Sequence, residues 1–444
     1  MSKIGFYIGH GVEVRHFLLS GFIEFVKQKN QVVLLIRENI DSPFFDEYIK
    51  EFEIDVIRLP SLKPNKTSVF LAQLTRSFRN SRKKLTANKI YSHFESSNNN
   101  RGLLDFVKGN LIVHKILDYI MGPFFAKINF NQAVEKILLY SKIDHLYLLE
   151  YSHPVNKVLG SVCSKHKIKV HILLNSLKTI FIDDFISFKI HRLHAWSDTQ
   201  RELFDQANPN LETLIFKDSG SPFHTFLRSI DADNVNRVLE KYHLDTSRPI
   251  IVYPLIYEQV FSKEHLIVEM MDSFFNSLKK ENRPQLILRR NPFEEKSFLI
   301  DSVKSLDNVI LFNHYWERNR NQNWSIQSIE GEMEWKALLQ ISTLMISYPS
   351  MSVVESINCG TPVMNVGFDE NGFENTDLSH IIHAPFIKQF EKSDYVTQCL
   401  TFNDFKNKYY LFSHLKKTMP TNKISCSLNL SLSEISIFYD ESNG

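Results

Sequence analysis

The chain reads as an α/β protein with two doubly wound, Rossmann-like sheets. Three observations predict this. At 444 residues the chain is long enough for two domains, each with its own core. Short apolar runs alternate with stretches of helical period from the first residues onward, the rhythm of a parallel sheet with crossover helices. The same rhythm resumes after a charged stretch at 226–247. The expected organisation is an N-terminal domain over 1–225, a linker over 226–247, a second domain over 248–410 and a tail over 411–444.

Composition narrows the function classes. Hydrophobic residues make up 43% and charged residues 23%, as in an ordinary globular protein. The net charge of +2 gives no global case for nucleic-acid binding. Residues 1–225 carry about 30 basic against about 22 acidic side chains, so the first half is basic and the second acidic. The four cysteines are widely spaced with no C-x-x-C pair, so neither a zinc site nor a disulfide framework is expected. MSKIGFYIGH does not read as a signal peptide, and no stretch approaches eighteen apolar residues. A cytoplasmic protein is expected, with the inner face of a membrane as a further place for it.

Strands are expected at 3–8, 32–36 and 55–59, each a short buried run. Between the first two, 14–26 carries Phe17, Leu18, Gly21, Phe22 and Phe25 at helical spacing. The first strand ends in Gly9-His10-Gly11, a loop at a strand's carboxyl end. Arg76 to Lys89 holds six basic residues and no acid, and is read as a solvated helix face. Residues 111–121 are strongly apolar with His114, Lys115 and Asp118 on one face, and Phe124, Phe125 and Phe130 follow. This segment either packs on the sheet or, over 111–130, touches a membrane or lipid surface. A strand at 145–149 ends in Glu150-Tyr151-Ser152-His153-Pro154, where Glu150 and His153 are placed for acid–base work. Strands at 169–174, 193–197 and 214–217 complete this half, with a helix from Asp198, and Gly220-Ser221-Pro222 follows. Asp231-Ala232-Asp233 is a D-x-D in a linker-like helix and is read as chance.

The second half opens with a strand at 249–255 and an amphipathic helix at 266–278. A strand at 285–288 runs into Arg289-Arg290-Asn291-Pro292. Arginines at the end of a buried strand need anionic partners, and their forks fit phosphate. A strand at 308–312 precedes a long polar loop, 313–333, with Trp316 and Trp324. Leu344-Met345-Ile346 is a further buried strand, broken by Tyr348-Pro349-Ser350. Ser350 or Ser352 can cap the helix that follows, whose first-turn N–H groups attract phosphate. Glu355 lies about one turn in, placed to accept hydrogen bonds from ribose hydroxyls. The helix ends near Cys359-Gly360, and a strand at 363–366 follows. Helical stretches are expected at 393–418.

Small hydroxylated residues after a strand, then Glu355, four residues, Gly360, one residue and Pro362, resemble the donor-binding segment of GT-B glycosyltransferases. The segment is similar to that of the enzymes that add N-acetylglucosamine to lipid I and of UDP-N-acetylglucosamine 2-epimerases. Gly-His after the first strand and Gly-Ser-Pro before the linker resemble the same fold. Arg-Arg-Asn-Pro is similar to an Arg-x-His-Pro segment of CDP-glycerol glycerophosphotransferases, with Asn291 in place of the histidine. The resemblance implies two domains facing across a cleft and a nucleotide-sugar donor on the second. It gives Glu355 the ribose, and Ser350, Met351 (through its backbone), Ser352, Arg289 and Arg290 the diphosphate. Trp316 or Trp324 would stack on the base, and 369–373 would line the sugar. Gly9 and Gly11 fall in the acceptor-side loop.

The expected reaction is glycosyl transfer to a glycan or lipid-linked acceptor in bacterial surface-polysaccharide synthesis. Arginine and helix start would neutralise the leaving diphosphate, so neither a metal nor a cofactor is expected. His10, Glu150 and His153 are the catalytic candidates. A 2-epimerase, a glycerophosphotransferase-type enzyme and a non-catalytic nucleotide-sugar-binding protein remain as alternatives.

Overall fold

The computed structural model describes residues 1–38, 40–60, 131–151, 153–174, 186, 188–196, 201, 204, 215–218, 221–229, 232–256, 261–291, 298–312, 316–319, 324–376, 382 and 395–415. The expectations for 76–89, 111–130 and the helix at Asp198 lie outside them. The chain falls into two compact units. Among the described residues, unit 1 takes Met1–Phe226 with Asn319–Ile326, and unit 2 takes Leu227–Arg318 with those from Gln327 to Leu415.

Unit 1 holds a seven-stranded sheet of order β3-β2-β1-β4-β5-β6-β7. Its strands are β1 (Lys3–Ile8), β2 (Gln31–Arg37), β3 (Asp55–Leu59), β4 (His145–Leu148), β5 (Lys169–Leu173), β6 (Arg192–Ala195) and β7 (Ile215–Asp218). All pairings are parallel. The central strands are nearly continuous runs of Val, Leu and Ile, because helices cover both faces. The helices are α1 (Gly11–Glu13), α2 (Phe22–Lys27), α3 (Pro43–Phe52), α4 (Gln132–Ser141), α5 (Pro154–Lys165) and α6 (Pro222–Arg228), the last running over the unit boundary. Ser42 caps α3 by accepting from the Phe45 N–H, and Asn131 caps α4 by accepting from Ala133 and Val134. Leu35, Leu146, Ile172 and Leu193 pack with Val134, Leu138, Leu159 and Phe188 in one core.

The helix expected at 14–26 is not one helix. α1 runs into a π-helical turn, Val14–Leu19, and α2 restarts after Gly21. Ser20 causes the break. Its Oγ donates back to the His16 carbonyl at 2.7 Å and accepts from the Phe22 N–H at 3.1 Å. Gly21 then takes φ +75°, where a side chain would be strained.

Unit 2 holds a six-stranded parallel sheet of order β10-β9-β8-β13-β14-β15. Its strands are β8 (Ile250–Pro254), β9 (Gln285–Arg289), β10 (Val309–Phe312), β13 (Leu344–Ser347), β14 (Val363–Val366) and β15 (Val396–Cys399). A two-stranded ribbon, β11 (Trp316–Asn319) and β12 (Trp324–Gln327), stands apart. The helices are α7 (Ala232–Lys241), α8 (Glu264–Asn276), α9 (Phe298–Val303), α10 (Ile329–Ile341), α11 (Met351–Asn358) and α12 (Phe402–Leu415). Ile251, Tyr253, Leu288, Ile346 and Met364 face Ile267, Met271, Phe275 and Phe405.

One expectation fails here and another holds only in part. The stretch 313–333 is not a polar loop, since it contains the ribbon and the first turn of α10. Ser328 starts that helix by accepting from the Gly331 N–H at 3.0 Å, with Glu330 and Glu332 in the first turn. The 393–418 region is not wholly helical: β15 precedes α12 and pairs with β14 from Val363↔Val396 to Val366↔Cys399.

The strand orders locate the ligand edges. In a doubly wound sheet, ligands bind outside the carboxyl ends of the strands where the order reverses. In unit 1 the reversal lies between β1 and β4, with Ile4 opposite His145. In unit 2 it lies between β8 and β13, with Met345 opposite Val252.

Candidate functional site

Unit 2 brings together three side chains from three elements. Arg289 is the last residue of β9, Glu355 lies on α11, and Trp335 lies on α10. The Trp335 indole N–H donates to Glu355 Oε2 at 2.7 Å. Arg289 Nη1 lies 3.8 Å from the same oxygen, an ion pair longer than a direct hydrogen bond. The Arg289 guanidinium carbon also sits 3.9 Å from the centroid of the Trp335 ring. All three side chains are buried. Burying a charge is costly without partners, and each charge here has the other and the indole.

α11 begins directly beyond β13, at the reversal. Ser350 occupies its N-cap position in extended geometry, yet its side chain makes no cap hydrogen bond. Its Oγ lies 3.3 Å from Ser347 Oγ instead. No acidic residue stands in the first turn, so nothing there opposes an anion. Met351 and Ser352 form that turn. The Tyr348 phenol donates to the Phe368 carbonyl, pinning the entry to α11 to the segment after β14. In that segment Asp369 Oδ1 accepts from the N–H groups of Asn371 and Phe373 at 2.9 and 3.0 Å, and the Phe373 ring is exposed. Arg290 is placed differently from Arg289. Its charge acts on Asp301 of α9, after that of Lys304, which holds the Asp301 carboxyl below its ordinary range.

Unit 1 gathers a second group at its own reversal. His10 and Glu13 follow β1, and Glu150 and His153 follow β4, the neighbouring strand. Glu13 is buried, with Oε2 lacking a hydrogen-bond partner. Burial, and then the Glu150 carboxyl, push it up to about 8. Burial also raises Glu150, with Lys157 opposing. His10 is lowered to about 4, by burial and then by Arg37 at the end of β2. Its Nδ1 is buried with no partner. His153 is lowered to about 4 for the same two reasons in the same order. It is the N-cap of α5, and its Nδ1 accepts from the Val155 N–H at 3.3 Å. That bond occupies the lone pair of Nδ1. In the neutral ring the proton then sits on Nε2, which suits a donor rather than a base.

The two glycines of the loop make room. A Cβ on Gly9 would lie 2.6 Å from the Tyr7 hydroxyl oxygen. A Cβ on Gly11 would lie 2.3 Å from the Ser325 carbonyl oxygen of β12. Further along the sheet, His145 Nδ1 and His171 Nε2 are 2.9 Å apart, and His171 stacks on Tyr147. Among the described residues no group of three or more His, Cys, Asp or Glu side chains could hold a metal ion. No described helix is long and apolar enough to cross a membrane.

Sequence reading placed Arg289, His10 and Glu150 at strand ends and Glu355 about one turn into a helix, and missed Glu13, Arg37 and Trp335. Glu13 carried a signal, since it stands three residues after His10 at a helix start. Trp335 carried none beyond its bulk.

No family profile and no curated protein sequence matches the chain. Solved structures do. UDP-GlcNAc 2-epimerase from Neisseria meningitidis, bound to UDP-GlcNAc, superposes with TM-score 0.58 at 11% identity, over 100% of both chains. UDP-GlcNAc 2-epimerase from Methanocaldococcus jannaschii gives 0.55 at 12% identity, again over 100% of both. The fold is GT-B. Sucrose-phosphate synthase from Thermosynechococcus elongatus shares it, with TM-score 0.52 at 11% identity over 99% of both chains. At such identities the likeness speaks to the GT-B fold alone, and the chemistry rests on the residues.

Proposed function

We propose that this chain is a glycosyltransferase that takes a sugar from a nucleotide-activated donor. The observation that carries the reading is the Arg289–Trp335–Glu355 group beside the uncapped start of α11, at the reversal of the unit 2 sheet. Glu355 accepts hydrogen bonds from the ribose hydroxyls. Arg289 and the first-turn N–H groups of α11, around Ser350, Met351 and Ser352, take the diphosphate. As the anomeric C–O bond breaks, its electron pair leaves with the nucleotide diphosphate, and these donors stabilise the growing charge. Neither metal nor cofactor has a step in this scheme. The acceptor is a glycan or lipid-linked sugar whose hydroxyl loses a proton to a base in unit 1. Of the candidates, Glu150 fits best. Its raised pKa brings it toward neutral pH, whereas His10 at about 4 is a weak base and His153 is spent as a cap.

A second reading, sugar-nucleotide 2-epimerisation, is favoured by one observation. Glu13 and Glu150 are two buried carboxyl groups with raised proton affinity, Glu13 through burial and then the Glu150 charge, and Glu150 through burial, so a proton donor and a proton acceptor can stand at one sheet edge. Epimerisation beside the anomeric carbon must remove a proton and return one, and such a pair supplies both.

The test is a thermal-shift screen against UDP-, GDP-, CDP-, CMP- and dTDP-sugars, with and without EDTA, on wild type, Glu355→Ala and Glu355→Gln. A ligand at 100 times its Kd stabilises by about 2.7 kcal/mol. One nucleotide class is expected to stabilise the wild type regardless of EDTA, and to lose its effect in both variants. No shift with any donor, or a shift kept by both variants, rules out the donor site. Incubating the stabilising donor in D2O without acceptor separates the two reactions: deuterium entering the sugar at C2 identifies epimerisation.

A further inference from the structure

Trp335 has no task in the scheme above, and a fully buried tryptophan in mid-helix ordinarily serves the core. Its contacts go beyond packing. The indole edge donates to Glu355 Oε2 at 2.7 Å, and its face carries the Arg289 guanidinium at 3.9 Å. Phe312 packs against it at a ring-centroid distance of 6.1 Å, so the indole is held from another side. Arg289 is 3.8 Å from Oε2, too far to fix the direction of the carboxylate. The indole N–H makes the shorter of these two contacts, and a carboxylate is planar, so fixing one oxygen sets where the other points. The ring face does the same for the guanidinium fork, which has one geometry to offer to phosphate.

We propose that Trp335 is a positioning residue that aims Glu355 with its N–H and Arg289 with its ring, and so sets how strongly the site prefers ribose over 2′-deoxyribose. This rests on the donor reading, because Glu355 must face the sugar of the nucleotide. The two contacts are separable. Phenylalanine keeps a ring for Arg289 and removes the donor to Glu355. Leucine removes both.

The experiment measures Kd by calorimetry for UDP, CDP, GDP and ADP and for their 2′-deoxy counterparts, on wild type, Trp335→Phe and Trp335→Leu. Wild type is expected to favour the ribo form of its base by about tenfold, the effect of a hydrogen bond to a charged group. In Trp335→Phe the ratio falls to near one while the 2′-deoxy form binds as before. Trp335→Leu loses affinity for both forms. A merely structural tryptophan would weaken both forms equally, so Trp335→Phe keeping the wild-type ratio overturns the proposal. In wild type, the Trp335 indole 15N–H resonance is expected to move with the ribonucleotide and far less with the 2′-deoxynucleotide. Equal movement also overturns it, and this readout needs no variant to fold. Wild type that binds none of the eight and is stabilised by no nucleotide sugar of the thermal-shift screen overturns the donor reading itself, a different failure.

Discussion

At neutral pH Glu13 keeps its proton, because burial and Glu150 lift it from an ordinary 4.5 to about 8. Between those values the folded chain holds a proton that the unfolded chain has lost. Raising the pH across that window therefore lowers stability. His10 and His153 act in the opposite sense. Lowered from 6.5 to about 4, they make the folded chain bind fewer protons than the unfolded one, so stability rises with pH between those values. Above pH 6.5 the histidine contribution is complete and the Glu13 contribution stands out. Glu13→Gln should flatten the fall in melting temperature between pH 6.5 and 8, so its advantage over wild type grows across that range. Parallel melting curves for the two proteins would show that Glu13 does not titrate there. The residues at this edge were partly legible. His10 and Glu150 stand in short polar loops after buried strands, a pattern visible along the chain. Trp335 is twenty positions from Glu355 and looks like any core aromatic; only the packing of α10 against α11 makes it part of the site.

Elements built on buried runs were the easiest to read. β1, β3 and β14 match their expected bounds, and most of the other strands fall within a residue or two. A buried parallel strand has no competing pattern, since both faces are apolar. The ribbon β11–β12 escaped because its residues are polar and its two strands are four residues each. α10 escaped because it is buried nearly all round, from Gly331 to Leu339, and shows no apolar stripe. The ribbon has a consequence for unit 1. Ser325 sits against Gly11, with no space for a methyl group. The obstacle is backbone, so Gly11→Ala must displace the start of α1 or the ribbon. It should cost about 1–3 kcal/mol in urea unfolding, the usual penalty for overpacking. A variant as stable as wild type would mean the ribbon yields easily.

On the scale of the whole molecule, each sheet has its own core and its own reversal of strand order. Two cores make a single all-or-none transition a poor expectation. If the nucleotide belongs to unit 2, its binding should slow hydrogen exchange in β9, β13 and α11 and leave β2 and β3 as they were. Protection centred on β1 and β4 instead would move the donor to the other sheet. The two-unit architecture was legible from length and rhythm. The reversal points were not, because strand order depends on pairings between distant parts of the chain.

The π-helical turn at Val14–Leu19 bears on how the unit 1 edge is aimed. Such a turn holds one residue more than an α-helical turn. Each residue of an α-helix advances the chain by about 100° around the axis. His10 and Glu13 enter on one side of the turn, and Phe17 and Phe22, which lock into Phe6, lie within and beyond it. The extra residue is thus a phase shift between the side of the segment that bears His10 and Glu13 and its anchored side. Shortening the segment by one residue would leave the anchor seated and swing the carboxyl group of Glu13 about a quarter of a turn away from Glu150.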